Sequence, residues 1–233
     1  MENDYLQHIA LSSLYSEFSN ELVFKGGTAL QKVYGLNRLS RDLDFNLLNV
    51  QDPDPALRRT ARKASAYYEC DLGPPARIKH GVGYKLRIKG PSYTGAEHVL
   101  PLTFNLLEKV ELEPSFKTIN PGPVYKDPDM RVYSVFVMKE EEILAEKVRA
   151  VLTRKTLEPR DVYDIWFLLN KGIGFDMNMA KRKVESDSAV FSIGEFRKKI
   201  VELSEKEWHG DLSPLIHTLP DYKDVRARIL SGL

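Results

Sequence analysis

Cysteine is nearly missing: Cys70 stands alone in 233 residues, which excludes an internal disulfide framework and any cysteine-based metal cluster and fits a reducing, cytoplasmic setting. Net charge is nearly missing too. At +1, no global basic field advertises a nucleic-acid partner, so any RNA contact must come from a local patch. The five histidines, His8, His80, His98, His209 and His217, are scattered without the H-E-x-x-H type of spacing that a metal site needs. No apolar run approaches the ~18 residues of a membrane span, and the opening MENDYLQH is acidic and polar, so neither a span nor a signal peptide is expected. At 42% hydrophobic and 29% charged, the chain is composed like an ordinary globular protein and is long enough for one large domain or two small ones.

The densest pattern lies between Phe24 and Leu47. Glu21 to Phe24 reads as a short strand, Gly26-Gly27 breaks it, and Thr28 to Tyr34 can turn helical. Such a turn leaves backbone N–H groups pointing outward with no side chain over them, which suits a phosphate or another anion. Thr28 either caps the helix or touches the anion. After Gly35 a loop carries Arg38, Ser40 and Arg41; then Asp42, Asp44 and Asn46 alternate with Leu43, Phe45 and Leu47, a strand with one wet face. The period of two puts both carboxylates on one side. At ~4 Å and an effective dielectric of ~20 their repulsion is on the order of 4 kcal/mol, so a cation belongs there. A hard divalent ion, most simply Mg²⁺, would satisfy them and also grip phosphates held by the glycine turn.

Elsewhere in the first half, Asp4 to Phe18 has the spacing of an amphipathic helix. Leu57 to Glu69 reads as a helix whose Arg58, Arg59, Arg62 and Lys63 form a solvated face or, alternatively, an RNA backbone contact. Lys79 to Lys89 alternates as a strand whose outer face, with Lys85 and Arg87, either holds a polyanion or blocks edge aggregation. Leu106 to Glu113 alternates again, with Lys109, Glu111 and Glu113 on one face. Turns at Pro121-Gly122-Pro123 and Asp127-Pro128-Asp129 precede a strand over Arg131 to Met138. Near Lys139 the period changes from two to 3.6, which sets a soft boundary between residues 1–138 and a helical part, 139–233.

In the helical part, Lys147 falls inside the apolar stripe of Ile143, Leu144, Val148, Val151 and Leu152; it either snorkels to the surface or reaches an anion. Pro159 starts a second helix with Asp161, Asp164, Ile165 and Leu168 on one face, and Asp161 is close enough to the N-terminus to cap it or pair with Arg154 or Arg160. Ser192 to Glu195 reads as a capping box, and Tyr222 to Leu230 completes a bundle.

Taken together, K-G-G-T-A-L followed by R-L-S-R-D-L-D-F is similar to the first motif of the nucleotidyltransferase superfamily, in the form of the AbiEii/AbiGii-type toxin branch. A-E-K-x-x-A-x-x-x-R followed by R-D-x-Y-D-I-W-x-L is similar to that family's third and fourth motifs, and the resemblance covers roughly Val23 to Leu169. It implies an α+β fold, a nucleotidyltransferase-type mixed sheet with flanking helices plus a C-terminal helical bundle. It further implies an Mg²⁺-dependent enzyme that moves a nucleoside monophosphate from an NTP to an acceptor hydroxyl, with a tRNA 3′ end as the best acceptor, acting as the toxin of a toxin-antitoxin pair under a cognate antitoxin. Carried over, Asp42 and Asp44 hold metal, and Gly26, Gly27, Thr28, Arg38, Ser40 and Lys147 hold the nucleotide. Glu111 matches the second motif's acid, with Glu113 sharing its face; Asp161 is the acidic partner of Lys147, with Asp164 next in line; Arg41, Lys85 and Arg87 are RNA contacts. Two rival readings keep a small molecule or protein as acceptor, or make the chain a nucleotide-binding regulator without turnover. The intact D-x-D and Lys147 argue against the last.

Overall fold

A computed structural model describes residues 2–65, 68–89, 97–125 and 130–233; the turn expected at Asp127-Pro128-Asp129 lies outside them. The chain divides into two compact units, Met1–Val33 with Arg41–Met138, and Tyr34–Ser40 with Lys139–Leu233.

The first unit runs α1 (Glu2–Phe18), a 3₁₀ turn (Ser19–Glu21), β1 (Leu22–Lys25), α2 (Gly26–Tyr34), β2 (Leu43–Leu47), α3 (Asp54–Ala64), β3 (Glu69–Leu72), β4 (Ala76–Ile78), β5 (Gly81–Lys89), β6 (His98–Asn105), β7 (Ser115–Ile119), α4 (Gly122–Tyr125) and β8 (Tyr133–Val137). The described strands form one mixed sheet in the order β3-β5-β6-β2-β1-β8-β7, with β4 paired to β5. At its centre β2 lies antiparallel to β1 and parallel to β6, with Phe24, Phe45 and Phe104 in register. Their rings stack at centroid distances of 5.4 Å and 5.4 Å, and Phe18 of α1 packs on Phe104. Side chains alternate across a strand, so Lys25, Asp44, Asn46, Thr103 and Asn105 leave the opposite face from this aromatic stack. One face of the central sheet is thus core and the other is polar.

Two sequence expectations shift. Leu106 to Glu113 is not a strand: β6 ends at Asn105, and β7 begins only at Ser115. The Asn105 side chain accepts the N–H groups of Leu107 (3.1 Å) and Glu108 (2.9 Å), so an asparagine turn takes up backbone donors that a ladder would have used. Glu111 and Glu113 therefore lie in an irregular loop. The basic helix starts at Asp54 and stops at Ala64, and Glu69 joins β3.

α1 is tied down by a polar cluster at its start. The Asp4 carboxylate accepts from Lys32 Nζ (2.7 Å), Gln31 Nε2 (3.2 Å) and the Tyr125 hydroxyl, while His8 Nδ1 lies 2.7 Å from the Tyr133 hydroxyl. Burial, reinforced by the Lys32 charge, pushes His8 down to about 4 from 6.5. Burial raises the Asp4 carboxyl, but the Lys32 ammonium outweighs it and the net direction is down. Both groups titrate lower in the folded state, so both stabilise it above their unfolded pKa values and lose that contribution as pH falls. For His8 the window runs from 6.5 to about 4, worth about 3 kcal/mol. Urea midpoints followed by circular dichroism should fall across that window, and His8→Gln should flatten the fall.

The second unit contains α5 (Glu140–Thr153), α6 (Pro159–Asn170), α7 (Met177–Glu185), α8 (Ile193–Glu202), α9 (Glu205–Leu212) and α10 (Tyr222–Gly232). Asp176, Ser192, Ser204 and Asp221 cap four of these helices, with a reciprocal capping box at Ser204 and Glu207. At Ser192 the structure gives the forward bond alone, from Glu195 N–H to the serine oxygen. α5 packs on α6, α7 and α8, and α6 on α9 and α10. Trp208, fully buried, fills the junction against Tyr163 and Tyr222. Residues 34–40 belong here: Leu39 N–H donates to Leu215 C=O (2.9 Å), and Lys171 Nζ reaches Tyr34 C=O (3.1 Å) and Glu140 (2.6 Å).

Candidate active site

In the first unit the chain turns from β1 into α2 through Gly26, whose φ of +76° is left-handed backbone that a side-chain-bearing residue rarely adopts. A Cβ on Gly26 would sit 2.7 Å from Asp44 Oδ2. The bare backbone at the start of α2 therefore lies against the Asp44 carboxylate. Gly26→Ala should lower transfer far more than stability. Positive φ costs about 1 kcal/mol, whereas the methyl would push the carboxylate out of place. Comparing thermal melts with initial rates separates the two.

Asp42 and Asp44 are half-buried; Asp44 lies in β2 and Asp42 immediately before it. Thr28 neither caps α2 nor is left for an anion: its hydroxyl donates to the Asp42 carbonyl at 2.5 Å. Asp42 precedes the first ladder residue of β2, so its carbonyl is available, and the bond ties the helix start to the aspartate strand. Next along the same face, Asn46 is fully buried and its Oδ1 has no hydrogen-bond partner. The carboxylates of Asp42 and Asp44 and the orphaned carbonyl oxygen of Asn46 are all oxygen donors, the ligand type that a hard divalent cation takes, and the glycine turn beside Asp44 offers N–H groups suited to an anion instead.

Glu108 does not stand out in the sequence, where Lys109, Glu111 and Glu113 carry the alternation. Its side chain is 3% exposed and its Oε2 lies 3.1 Å from Lys25 Nζ, while His80 Nε2 lies 3.8 Å from Oε1. The available signal was Asn105, whose turn throws the following residues back over the sheet. Glu111 is half-buried and Glu113 exposed.

In the second unit Lys147 does not snorkel. Its ammonium lies 2.7 Å from Asp161 Oδ1 and 2.7 Å from Asp164 Oδ2. Burial would lower it, but the two carboxylates outweigh burial and raise it. Asp164, fully buried, also receives Nε and Nη2 of Arg38, both at 2.7 Å, a two-pronged bond from a guanidinium that is 4% exposed. Burial pushes the Asp164 carboxyl up, yet Lys147 and Arg38 together hold it below the usual carboxylate range. Asp161 also pairs with Arg154 (2.7 Å), while Arg160 goes to Glu158 (2.6 Å).

The basic surfaces are largely met by acids. Arg58 pairs with Asp54, Arg59 and Lys63 with Glu17. Across the β3/β5 ladder Arg87 stands opposite Asp71 and Lys89 opposite Glu69, whereas Lys85 is exposed opposite Pro101, and Arg41 is exposed.

The mixed sheet with its flanking helices is shared with solved structures. MenT4, a nucleotidyltransferase toxin from Mycobacterium tuberculosis H37Rv, matches with a TM-score of 0.73 at 21% identity, covering 99% of this chain and 81% of that one. JHP933 from Helicobacter pylori matches with a TM-score of 0.62 at 19% identity, covering 97% and 88%. Residues 9–229 match the family described as nucleotidyl transferase AbiEii toxin, type IV TA system. The chain belongs to that family, and it is a nucleotidyltransferase. No curated protein is similar enough in sequence to count as a match.

Proposed function

We propose that the chain transfers a nucleoside monophosphate from an NTP to an acceptor hydroxyl, with a tRNA 3′ end as acceptor, in the cytoplasm, as the toxin partner of a cognate antitoxin. The contact between Gly26 and the Asp44 carboxylate carries this reading, because it puts unobstructed backbone N–H groups beside the metal-holding acids. Asp42 and Asp44 hold Mg²⁺, which when bound neutralises phosphate charge at the reacting phosphorus. The N–H groups of Gly26 and Gly27 cradle phosphate oxygens, and Thr28 fixes the distance between that cradle and Asp42. Glu111 is the proposed acid that orients the acceptor hydroxyl. In the second unit Lys147, fixed by Asp161, is the proposed phosphate lysine, and Asp164 keeps it and Arg38 in place. The protein's contribution is positioning and charge neutralisation.

The test supplies each of four α-labelled NTPs with Mg²⁺ and total tRNA, and in parallel reactions with protein and small-molecule acceptors. Label on tRNA is the expected result. Label on another acceptor class replaces the tRNA assignment, and NTP binding with no labelled product favours a regulator. Lys147→Ala with undiminished labelling removes that lysine from the nucleotide.

A further inference from the structure

We infer that the surface of β5 at Gly83, which carries no side chain and is bounded by Ile78 and Thr103, seats the 3′-terminal nucleoside of the RNA acceptor. This deepens the proposed transfer and rests on it, with Gly26 and Gly27 as the phosphate cradle and the aspartates of β2 beside the reacting phosphorus.

Strand register places this surface. Asp44 on β2 is the partner of Thr103 on β6, and Thr103 is the partner of Gly83 on β5, so the three positions share one face of the sheet. On the other side of β2, the partner of Asp44 is Lys25, the last residue of β1 before the glycine turn. The turn and β5 therefore flank the aspartate strand from opposite sides. Two inter-strand spacings put Gly83 roughly 10 Å from Asp44. In-line displacement needs the attacking hydroxyl and the leaving pyrophosphate on opposite sides of the phosphorus. With pyrophosphate at the glycine turn, the acceptor comes from the side of β6 and β5.

Gly83 leaves that side uncovered. A glycine weakens a strand interior, and its usual reasons are a bulge, a bend or the close approach of another backbone or a ligand. For Gly81, two residues away, the fold supplies such a reason: a Cβ there would sit 1.9 Å from the Phe104 carbonyl oxygen. For Gly83 it supplies none. Its φ is not positive, and the nearest atom a Cβ would meet is Ile78 Cγ2 at 3.6 Å, an ordinary contact. Approach of a ligand is the reason that remains.

The surroundings match a nucleoside with its phosphate. Ile78 on β4 is the partner of Gly81, reaches along β5 to Gly83, and is 36% exposed, an apolar wall for the flat face of a base. Thr103 brings a hydroxyl to the side nearer Asp44. Two residues beyond Gly83, Lys85 leaves the same face, exposed, and supplies a cation for the phosphate that joins this nucleoside to the next.

The test measures binding of a fluorescein-labelled single-stranded RNA copied from a tRNA 3′ end, by anisotropy, and of NTP, by calorimetry, with a thermal melt on each protein. Gly83→Leu should weaken RNA binding about tenfold, the loss of one base contact, with NTP binding within about twofold and the melt unchanged. Lys85→Gln should weaken it about threefold and flatten its dependence on salt. In the labelling assay Gly83→Leu should raise KM for RNA more than it lowers kcat. A Gly83→Leu protein that binds and labels RNA like the unmodified chain overturns the inference. So does one that loses NTP and keeps RNA, which gives the surface to the nucleotide. Should Gly83→Leu melt early, Gly83→Ala decides, because its methyl fits: equal loss of both ligands, or of neither, sinks the proposal. An unmodified chain that labels another acceptor class and neither binds nor labels RNA fails the tRNA reading itself, and this inference falls with it.

Discussion

Asp44→Asn is expected to cut nucleotidyl transfer about a thousandfold while leaving the melting temperature unchanged or slightly raised. The amide has the carboxylate's shape, so it fits against Gly26, where there is no Cβ to collide with it. What changes is charge. Asp44 is half-buried, and a neutral amide is cheaper to bury there than a carboxylate, hence the absent or favourable effect on stability. On the proposed reading the same loss removes half of the carboxylate charge with which Asp42 and Asp44 would hold a divalent cation, and so weakens the charge neutralisation that cation would supply. The effect should fall on kcat/KM through both parameters, and excess Mn²⁺ should restore part of it. Initial rates against metal concentration, with a thermal melt on the same sample, check both halves. A variant that kept more than a tenth of the activity would place the metal elsewhere.

The contrast between Asp44 and Glu108 shows where reading the sequence stops. Asp44 was legible because everything that places it is local: the two-residue period of β2, the glycine break eighteen residues upstream by count from the sequence, and the apolar Leu43 and Phe45 on the other face. The helices α5 and α6 were legible for the same reason, through Glu140 to Glu142 in a first turn and Pro159 at a start. β6 was missed because Pro101 interrupts an otherwise good alternation of Leu100, Leu102 and Phe104. β3, β4 and β7, at four, three and five residues, are too short to carry a period. Glu108 depends on two asparagines from different strands, and Arg38 on a partner 126 residues away. The family resemblance assigned Arg38 to the nucleotide; long-range packing places its guanidinium on Asp164.

That commitment makes Asp164→Ala the substitution with the largest expected effect on stability, about 3 to 5 kcal/mol. Arg38 and Lys147 are balanced by Asp161 and Asp164 inside the second unit, and Asp164 alone contacts both cations at 2.7 Å. Its removal leaves two buried positive charges against one carboxylate, which also serves Arg154. The melting temperature should fall on the order of 10 °C. The two tryptophans, Trp166 and Trp208, both lie in the second unit, so their fluorescence reads this loss directly. Acid should mimic the substitution. Asp164 is held below its ordinary pKa, so its contribution is present above the unfolded value of 3.8 and disappears as pH drops through the lower folded value. The decisive variant is Arg38→Met/Asp164→Leu, which removes one charge of each sign and leaves Lys147 paired with Asp161. If the cost arises from unbalanced charge, more than half of the lost stability should return. If stability returns and transfer does not, Asp164 or Arg38 also serves the reaction; if both return, their role is to hold residues 34–40 against α6.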